Sequence, residues 1–164
     1  MKKYELTGEC KVYFGVTLRR IKSLIDFSDV KKGELGGFIE KEENLSHGGD
    51  AWVYGNARVY GDARVSSNAR VSGNARVYDD ARVSGDARVS GNADYVLIGR
   101  IGSRFGFTTF FRNKNNEIYV SCGCFLGTLA KFRKKVKETH GTDTKYAKVY
   151  QAAADLAEMQ ILNK

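Results

Sequence analysis

Val53-Tyr-Gly-Asn-Ala-Arg58 is followed by Val59-Tyr-Gly-Asp-Ala-Arg64, Val65-Ser-Ser-Asn-Ala-Arg70 and Val71-Ser-Gly-Asn-Ala-Arg76. The same phrase continues as Val77-Tyr-Asp-Asp-Ala-Arg82, Val83-Ser-Gly-Asp-Ala-Arg88 and Val89-Ser-Gly-Asn-Ala-Asp94. A six-residue period is too short for helical solenoid repeats and lacks the glycine spacing of collagen. Each unit parses as a short strand, Ala-Arg-Val-Tyr/Ser, and a two-residue corner. Strand alternation sends Ala and Val to one side and Arg and Tyr/Ser to the other. The corner pairs, mostly Gly-Asn or Gly-Asp, tolerate the positive φ of a sharp bend. Equal strands joined by equal bends wind into a coil, and successive coils pair as parallel strands around an aliphatic axis. Val59, Val65, Val71, Val77, Val83 and Val89 are therefore predicted to be buried, with Ala63, Ala69, Ala75 and Ala81 beside them.

In these features the chain resembles the hexapeptide-repeat family, whose members form left-handed parallel β-helices of triangular section. The resemblance rests on an inward aliphatic, a small residue four places later and Asn/Gly corners in strict register. It implies three hexads per coil, so that residues eighteen apart stack on one face, and it implies frequent trimers and many acyltransferases. The lead-in Val30-Lys-Lys-Gly-Glu-Leu-Gly-Gly-Phe-Ile-Glu-Lys-Glu-Glu-Asn-Leu-Ser-His47 is similar to uncharacterised hexapeptide-repeat proteins of bacteria and their phages. For such a chain the expected fold is mainly β: a left-handed parallel β-helix over 35–94. An N-terminal β cap over 1–34 precedes it, and a basic α+β C-terminal domain over 95–164, of three strands and two helices, follows. Counting back from Val53 in sixes puts Ala51, Leu45 and Ile39 at the small inward position and Leu35 at the aliphatic one. His47 and Lys41 then interrupt the aliphatic position. On the same count, one outer face carries Glu40/Glu42, Arg58/Tyr60, Arg76/Tyr78 and Asp94, and Trp52/Tyr54 point outward from another.

Residues 1–27 read as short strands punctuated by Gly8 and Gly15, suited to covering the first coil. After the repeat stops, Asp94–Gly102, Gly106–Arg112 and Glu117–Cys122 read as strands, with a hairpin turn at Asn113–Asn116. A helix is expected from Thr128 to His140, with Thr128 as its N-cap and Gly141 as its stop. A second helix should run from Thr144 to Leu162, burying Tyr146, Val149, Tyr150, Ala153, Leu156, Ala157 and Ile161.

The net charge of +8 is unevenly placed. Residues 1–94 hold 15 Lys/Arg against 14 Asp/Glu, and residues 95–164 hold 12 against 5. An acidic partner should prefer the C-terminal part. No apolar run approaches membrane-spanning length, and Met1–Glu5 lacks the apolar core of a signal peptide. The expected location is cytoplasmic, or the host cytoplasm if the chain is phage-encoded, without a membrane partner. Three cysteines make no disulfide framework, and Cys122-Gly123-Cys124 is read as small residues packed under the helix rather than a metal site. No metal and no cofactor is expected.

The resemblance implies a histidine as general base for acyl transfer, and His47 and His140 are the two histidines of the chain. The alternative class, a trimeric acyltransferase with an acyl-CoA donor, would rest on His47, which falls in an irregular hexad. The preferred class is a non-enzymatic binding or scaffold protein, an accessory of a phage or mobile element and a candidate antagonist of host defence. Its partner would be an acidic protein, a nucleic acid or a nucleotide. The residues expected to carry binding are Arg100 and Arg104 in a Gly-rich loop and Lys131, Arg133, Lys134, Lys135 and Lys137 on the first helix. A second surface is expected at Arg58, Tyr60, Arg76 and Tyr78, whose residue types are enriched at interface hot spots.

Overall fold

The computed structural model describes residues 1–162, and the chain divides into two compact units between Asn92 and Ala93. The first unit opens with a hairpin, β1 (Tyr4–Tyr13) against β2 (Val16–Ser23), followed by β3 (Leu35–Ile39). Seven two-residue strands then mark the repeats: β4 (Trp52–Val53), β5 (Arg58–Val59), β6 (Arg64–Val65), β7 (Arg70–Val71), β8 (Arg76–Val77), β9 (Arg82–Val83) and β10 (Arg88–Val89). β4, β7 and β10 stack on one face, β3, β5 and β8 on a second, and β6 and β9 on a third, all parallel. Paired strands of the regular coils are eighteen residues apart, as in Val53↔Val71↔Val89.

The corners explain why the strands stay so short. The first corner residue takes a positive φ at Gly55, Gly61, Ser67, Gly73, Asp79 and Gly85. A left-handed residue every six positions breaks the strand and turns the chain by the same amount each time. Every valine and alanine predicted to line the axis is at most 1 % exposed.

The first coil departs from the expected frame. Ile39 pairs with Val59, and Leu45 bridges Val65, each twenty residues apart rather than eighteen. Ile39 and Leu45 thus fill the aliphatic position, not the small one, and Leu35 is exposed. The two extra residues lie in the turn Ser46–Asp50, between Leu45 and Ala51. His47 consequently leaves the axis and stacks on Tyr4, with ring centroids 4.3 Å apart. Asn44, in the single helical turn just before Leu45, satisfies the ladder by donating from its amide to the carbonyls of Gly61 (3.0 Å) and Ala63 (2.9 Å).

Trp52 points outward by strand alternation but is fully buried, because other side chains cover it. Tyr4 and Phe27 pack edge-on to its ring, at 6.1 and 5.4 Å. The N-terminal segment also plugs the coil with polar groups. Lys3 Nζ donates to the carbonyls of Ala51 (2.8 Å) and Gly49 (3.1 Å), and the Tyr4 hydroxyl donates to that of Leu45 (2.8 Å). Burial pushes the Lys3 ammonium down to about 8, against the opposing pull of Asp50. Burial, then Glu42 and Glu43, push the Tyr4 phenol up.

The sign of the resulting pH dependence follows from proton counting. Between about pH 8 and 10 the unfolded chain holds the Lys3 proton that the folded chain has shed, so stability rises, by at most about 1.4 kcal/mol per pH unit. Above about pH 10 the folded chain keeps the Tyr4 proton that the unfolded chain loses, and stability falls. Urea unfolding from pH 7 to 11 is expected to show a maximum near about pH 10, and Lys3→Met should flatten the rise. A wild-type curve that is flat or falling from pH 8 to 10 would show that this ammonium is not desolvated.

The second unit is an antiparallel sheet, β11 (Tyr95–Ile101), β12 (Gly106–Arg112), β13 (Ile118–Cys122) and β14 (Phe125–Thr128), followed by α1 (Leu129–His140) and α2 (Lys145–Leu162). It has four strands where three were expected. Cys122-Gly123-Cys124 forms the β13–β14 turn, with Gly123 at positive φ, so Cys124 is exposed rather than packed under a helix. Thr128 caps α1 by accepting from the Lys131 amide (3.3 Å), and Gly141 ends it with φ 75°. Phe110, Ile118 and Val120 form a core with Phe132 and Val136 of α1 and Ala147, Ala153, Ala154, Ala157 and Ile161 of α2. The buried face of α2 is rotated from the expected one, admitting Ala147 and Ala154 and leaving Leu156 exposed. Asp94 is buried and accepts from Arg112 Nε at 3.0 Å. Among the described residues, no helix is long and apolar enough to cross a membrane.

Candidate binding face

Arg58 and Tyr60 of one coil lie directly below Arg76 and Tyr78 of the next, because β5 and β8 are in parallel register. The two tyrosine rings stack at 5.2 Å and 9°. The hairpin reaches across this face and brings Tyr13, which meets Tyr60 edge-on at 6.0 Å. The Arg58 guanidinium sits 4.5 Å from the centre of the Tyr13 ring and that of Arg76 sits 5.0 Å away. Tyr13 therefore holds both arginines by cation–π contact while their N–H edges remain available for an acceptor.

Acids were expected above and below this pair, and the structure engages them elsewhere. The Glu40 carboxylate accepts from the Gly61 amide (2.7 Å), Glu42 pairs with Lys2 (2.8 Å), and Asp94 pairs with Arg112. Among the described residues no carboxylate pairs with Arg58 or Arg76. Other repeat arginines are spent internally: Arg70 pairs with Asp29 (2.7 Å), and Arg88 donates to the carbonyls of Asn68 and Ala87. Burial and its tyrosine neighbours push the Tyr60 phenol up, so at neutral pH it remains a hydrogen-bond donor.

The tip of the hairpin adds the least expected residue. Phe14 and Gly15 connect β1 to β2, both at positive φ (47° and 79°). A two-residue turn of this hand suits the twist of the strands but normally takes Asn-Gly. A phenylalanine there carries backbone strain of about 1 kcal/mol or more, yet its ring is 89 % exposed, and neighbouring Val12 is 72 % exposed. Phe14 packs edge-on to Tyr13 at 4.5 Å. Sequence reasoning found the two Arg-Tyr rungs and missed Tyr13 and Phe14. The signal within reach was an aromatic pair ahead of Gly15, between two β-rich runs.

The residues expected in the second unit are more dispersed. Arg100 is exposed on β11, and Arg104 is exposed in the β11–β12 turn. Arg133 bridges the helices, donating to Asp155 (2.8 Å), Glu158 (2.9 Å) and Gln151 (2.8 Å). It serves the α1–α2 joint and is not an open cation. Lys134 lies 3.9 Å from Glu138. Lys131, Lys135 and Lys137 are exposed on α1.

His47 of the first unit accepts from the Lys3 amide through Nδ1 (3.1 Å) and turns Nε2 toward Glu42, 3.5 Å away. The amide bond assigns the proton of the neutral ring to Nε2. The ring therefore directs no free lone pair toward a substrate. Among the described residues no three His, Cys, Asp or Glu side chains are placed to hold a metal ion.

Residues 51–68, 69–85 and 81–93 match the family described as the YdcK β-solenoid repeat. A stretch of 62 residues is 36 % identical to the Escherichia coli (strain K12) protein named uncharacterized acetyltransferase YdcK. That stretch is 33 % of this chain and 19 % of the relative, so the chain spans well under two thirds of the relative's length. The family match lies within the β-solenoid repeat.

Proposed function

We propose that this hexapeptide-repeat β-helix protein is a binding module, and that an acidic protein docks on the face formed by Phe14, Tyr13, Arg58, Tyr60, Arg76 and Tyr78. The observation that carries the reading is the pairing of two guanidinium groups, without carboxylate partners among the described residues, with an exposed aromatic held on a strained hairpin tip. Arginine and tyrosine on a rigid scaffold contribute large contact area with little ordering entropy. A protein partner is favoured over a nucleic acid because this face offers two cations and several rings, whereas phosphate tracking uses many cations along a groove. The accessory role in a phage or mobile element, including antagonism of a host defence, is one setting for such a module.

Acyl transfer has in its favour the relative's name, uncharacterized acetyltransferase YdcK. Against it stands His47, whose Nδ1 is occupied and whose ring is stacked on Tyr4. Toward a macromolecular partner the exposed lysines of α1 supply mainly a diffuse field once Arg133 is engaged.

The test is selection of peptide ligands from a displayed library on the whole chain. Acidic peptides with aromatic residues are expected. Their affinity should fall about tenfold or more in Arg58→Ala and in Arg76→Ala, and comparably in Phe14→Gly, as for hot-spot residues. Melting temperatures should stay close to wild type in the arginine variants. If affinity survives the arginine changes and is lost in K131A/K134A/K135A/K137A, the binding face belongs on α1 instead.

A further inference from the structure

The second unit contains a slot between the β13–β14 turn, α1 and α2. Phe132 and Val136, both nearly buried, form its floor, and Phe125, Tyr150, His140 and Cys122 form its walls. Its rings are set at different inclinations: Phe132 and Tyr150 meet at 88° and 5.7 Å, Phe125 and Phe132 at 55° and 5.6 Å, and His140 and Tyr150 at 27° and 5.7 Å. We propose that this slot binds a small aromatic carboxylate, with the ring among these side chains and the carboxylate at the mouth beside Lys135 and Thr139. The proposal is independent of the Arg/aromatic face, which belongs to the other unit.

Size decides the first part. The free volume of the slot is ≈ 100 Å³, somewhat below that of an apolar cavity that takes up benzene, about 150 Å³. A single ring, extending partly through the open mouth, fits; a nucleotide does not. Aromatic walls favour a flat ligand, since edge-to-face contacts with phenylalanine and tyrosine add to simple area burial.

Charge decides the second part. Arg133 has Asp155 and Glu158, and Lys134 has Glu138. Lys135 lines the slot and has no such acid among the described residues. Arg104 acts electrostatically on Tyr150 from the β11–β12 turn. An anion entering here meets positive potential and no facing carboxylate on the lining residues. The polar groups at the mouth are one ammonium and the Thr139 hydroxyl, which suit a single carboxylate better than a multiply charged phosphate. The Tyr150 phenol, pushed up to about 12 chiefly by burial and then by Cys122, stays protonated and adds no negative charge.

The experiment uses the full chain and 4-fluorobenzoate, followed by ¹⁹F line broadening, with 4-fluorobenzamide as the neutral comparison. Saturable broadening is expected, with a dissociation constant on the order of 1 mM for a ligand of about ten heavy atoms. The amide should bind about tenfold more weakly, and Lys135→Ala should remove most of that difference by weakening benzoate about tenfold. Thr139→Trp, at an exposed position, should close the mouth and abolish broadening without disturbing the core. Cys122 supplies an independent reading: saturating benzoate should slow its alkylation by iodoacetamide several-fold, while exposed Cys10 and Cys124 react as before. Failure of benzoate to saturate, equal binding of the amide, or binding that persists in Thr139→Trp with Cys122 unprotected would each overturn the proposal.

Discussion

Val71→Asp is expected to leave the first unit without a cooperative unfolding transition at 37 °C. Val71 is fully buried and sits between Val53 below and Val89 above on one face of the coil. Its carbonyl already accepts from the Tyr54 amide (2.8 Å), and the next amide, of Ser72, donates to Val89 (2.9 Å). No donor is left to meet a carboxylate in that position. Protonating the acid removes the charge but leaves a polar group in an aliphatic stack, so the substitution should cost roughly 4 kcal/mol or more. Against a total stability of about 5–15 kcal/mol for an ordinary domain, that loss is close to unfolding. Urea unfolding followed by far-ultraviolet circular dichroism measures it, with Val71→Ala as the milder companion. An aspartate variant that melts within a few degrees of wild type would mean that the valine column is not the axis.

The regular coils could be read from the sequence because their period, corner residues and inward pattern all agree. Each hexad repeats the same local instruction, and no long-range choice remains to be made. Extrapolation failed where that instruction stops. The two residues inserted in Ser46–Asp50 have no local signature, and only pairing across coils, Glu40 amide to Val59 carbonyl at 3.1 Å, reveals the shift. Ile39 and Leu45 were six apart and large, which suits valine positions better than alanine positions; volume was the better guide than counting. Trp52 was read outward correctly as to strand alternation, but alternation does not say what covers an outer face.

The candidate site divides along the same line. Arg58, Tyr60, Arg76 and Tyr78 share a face because residues eighteen apart stack, so a count finds them. Tyr13 and Phe14 join them through a hairpin more than forty residues away in sequence, a tertiary contact that no period encodes. In the second unit the charge balance identified the basic helix but not the fate of each cation. Arg133 meets Asp155 and Glu158 because they lie three apart on α2 and therefore on one side of it. The fourth strand, Phe125–Thr128, was missed because it is short and runs directly into the cap of α1.

Gly37→Ala tests the shifted register and should have the second largest effect on stability. Gly37 is buried two residues before Ile39, and with Ile39 opposite Val59 it faces Ala57, the small inward position of the coil above. A Cβ there would lie 2.6 Å from the Ala57 carbonyl oxygen and 2.6 Å from Val53 Cγ1. One neighbour is backbone in the ladder and the other a buried valine on the axis, so neither can withdraw without disturbing a coil. The strain is of overpacking rather than of backbone angle, and should cost on the order of 3 kcal/mol. In the eighteen-residue frame Gly37 would instead lie beneath Gly55, a corner where an added Cβ meets nothing within 4 Å. In that frame the loss would be well under about 1 kcal/mol, the scale of an exposed substitution. Chemical unfolding of Gly37→Ala beside Gly55→Ala separates the two. Gly55 has φ 56°, so its variant carries a modest backbone penalty of about 1 kcal/mol. A Gly37→Ala loss clearly larger than that of Gly55→Ala places the first coil two residues out of step with the rest; a smaller one restores the uninterrupted count.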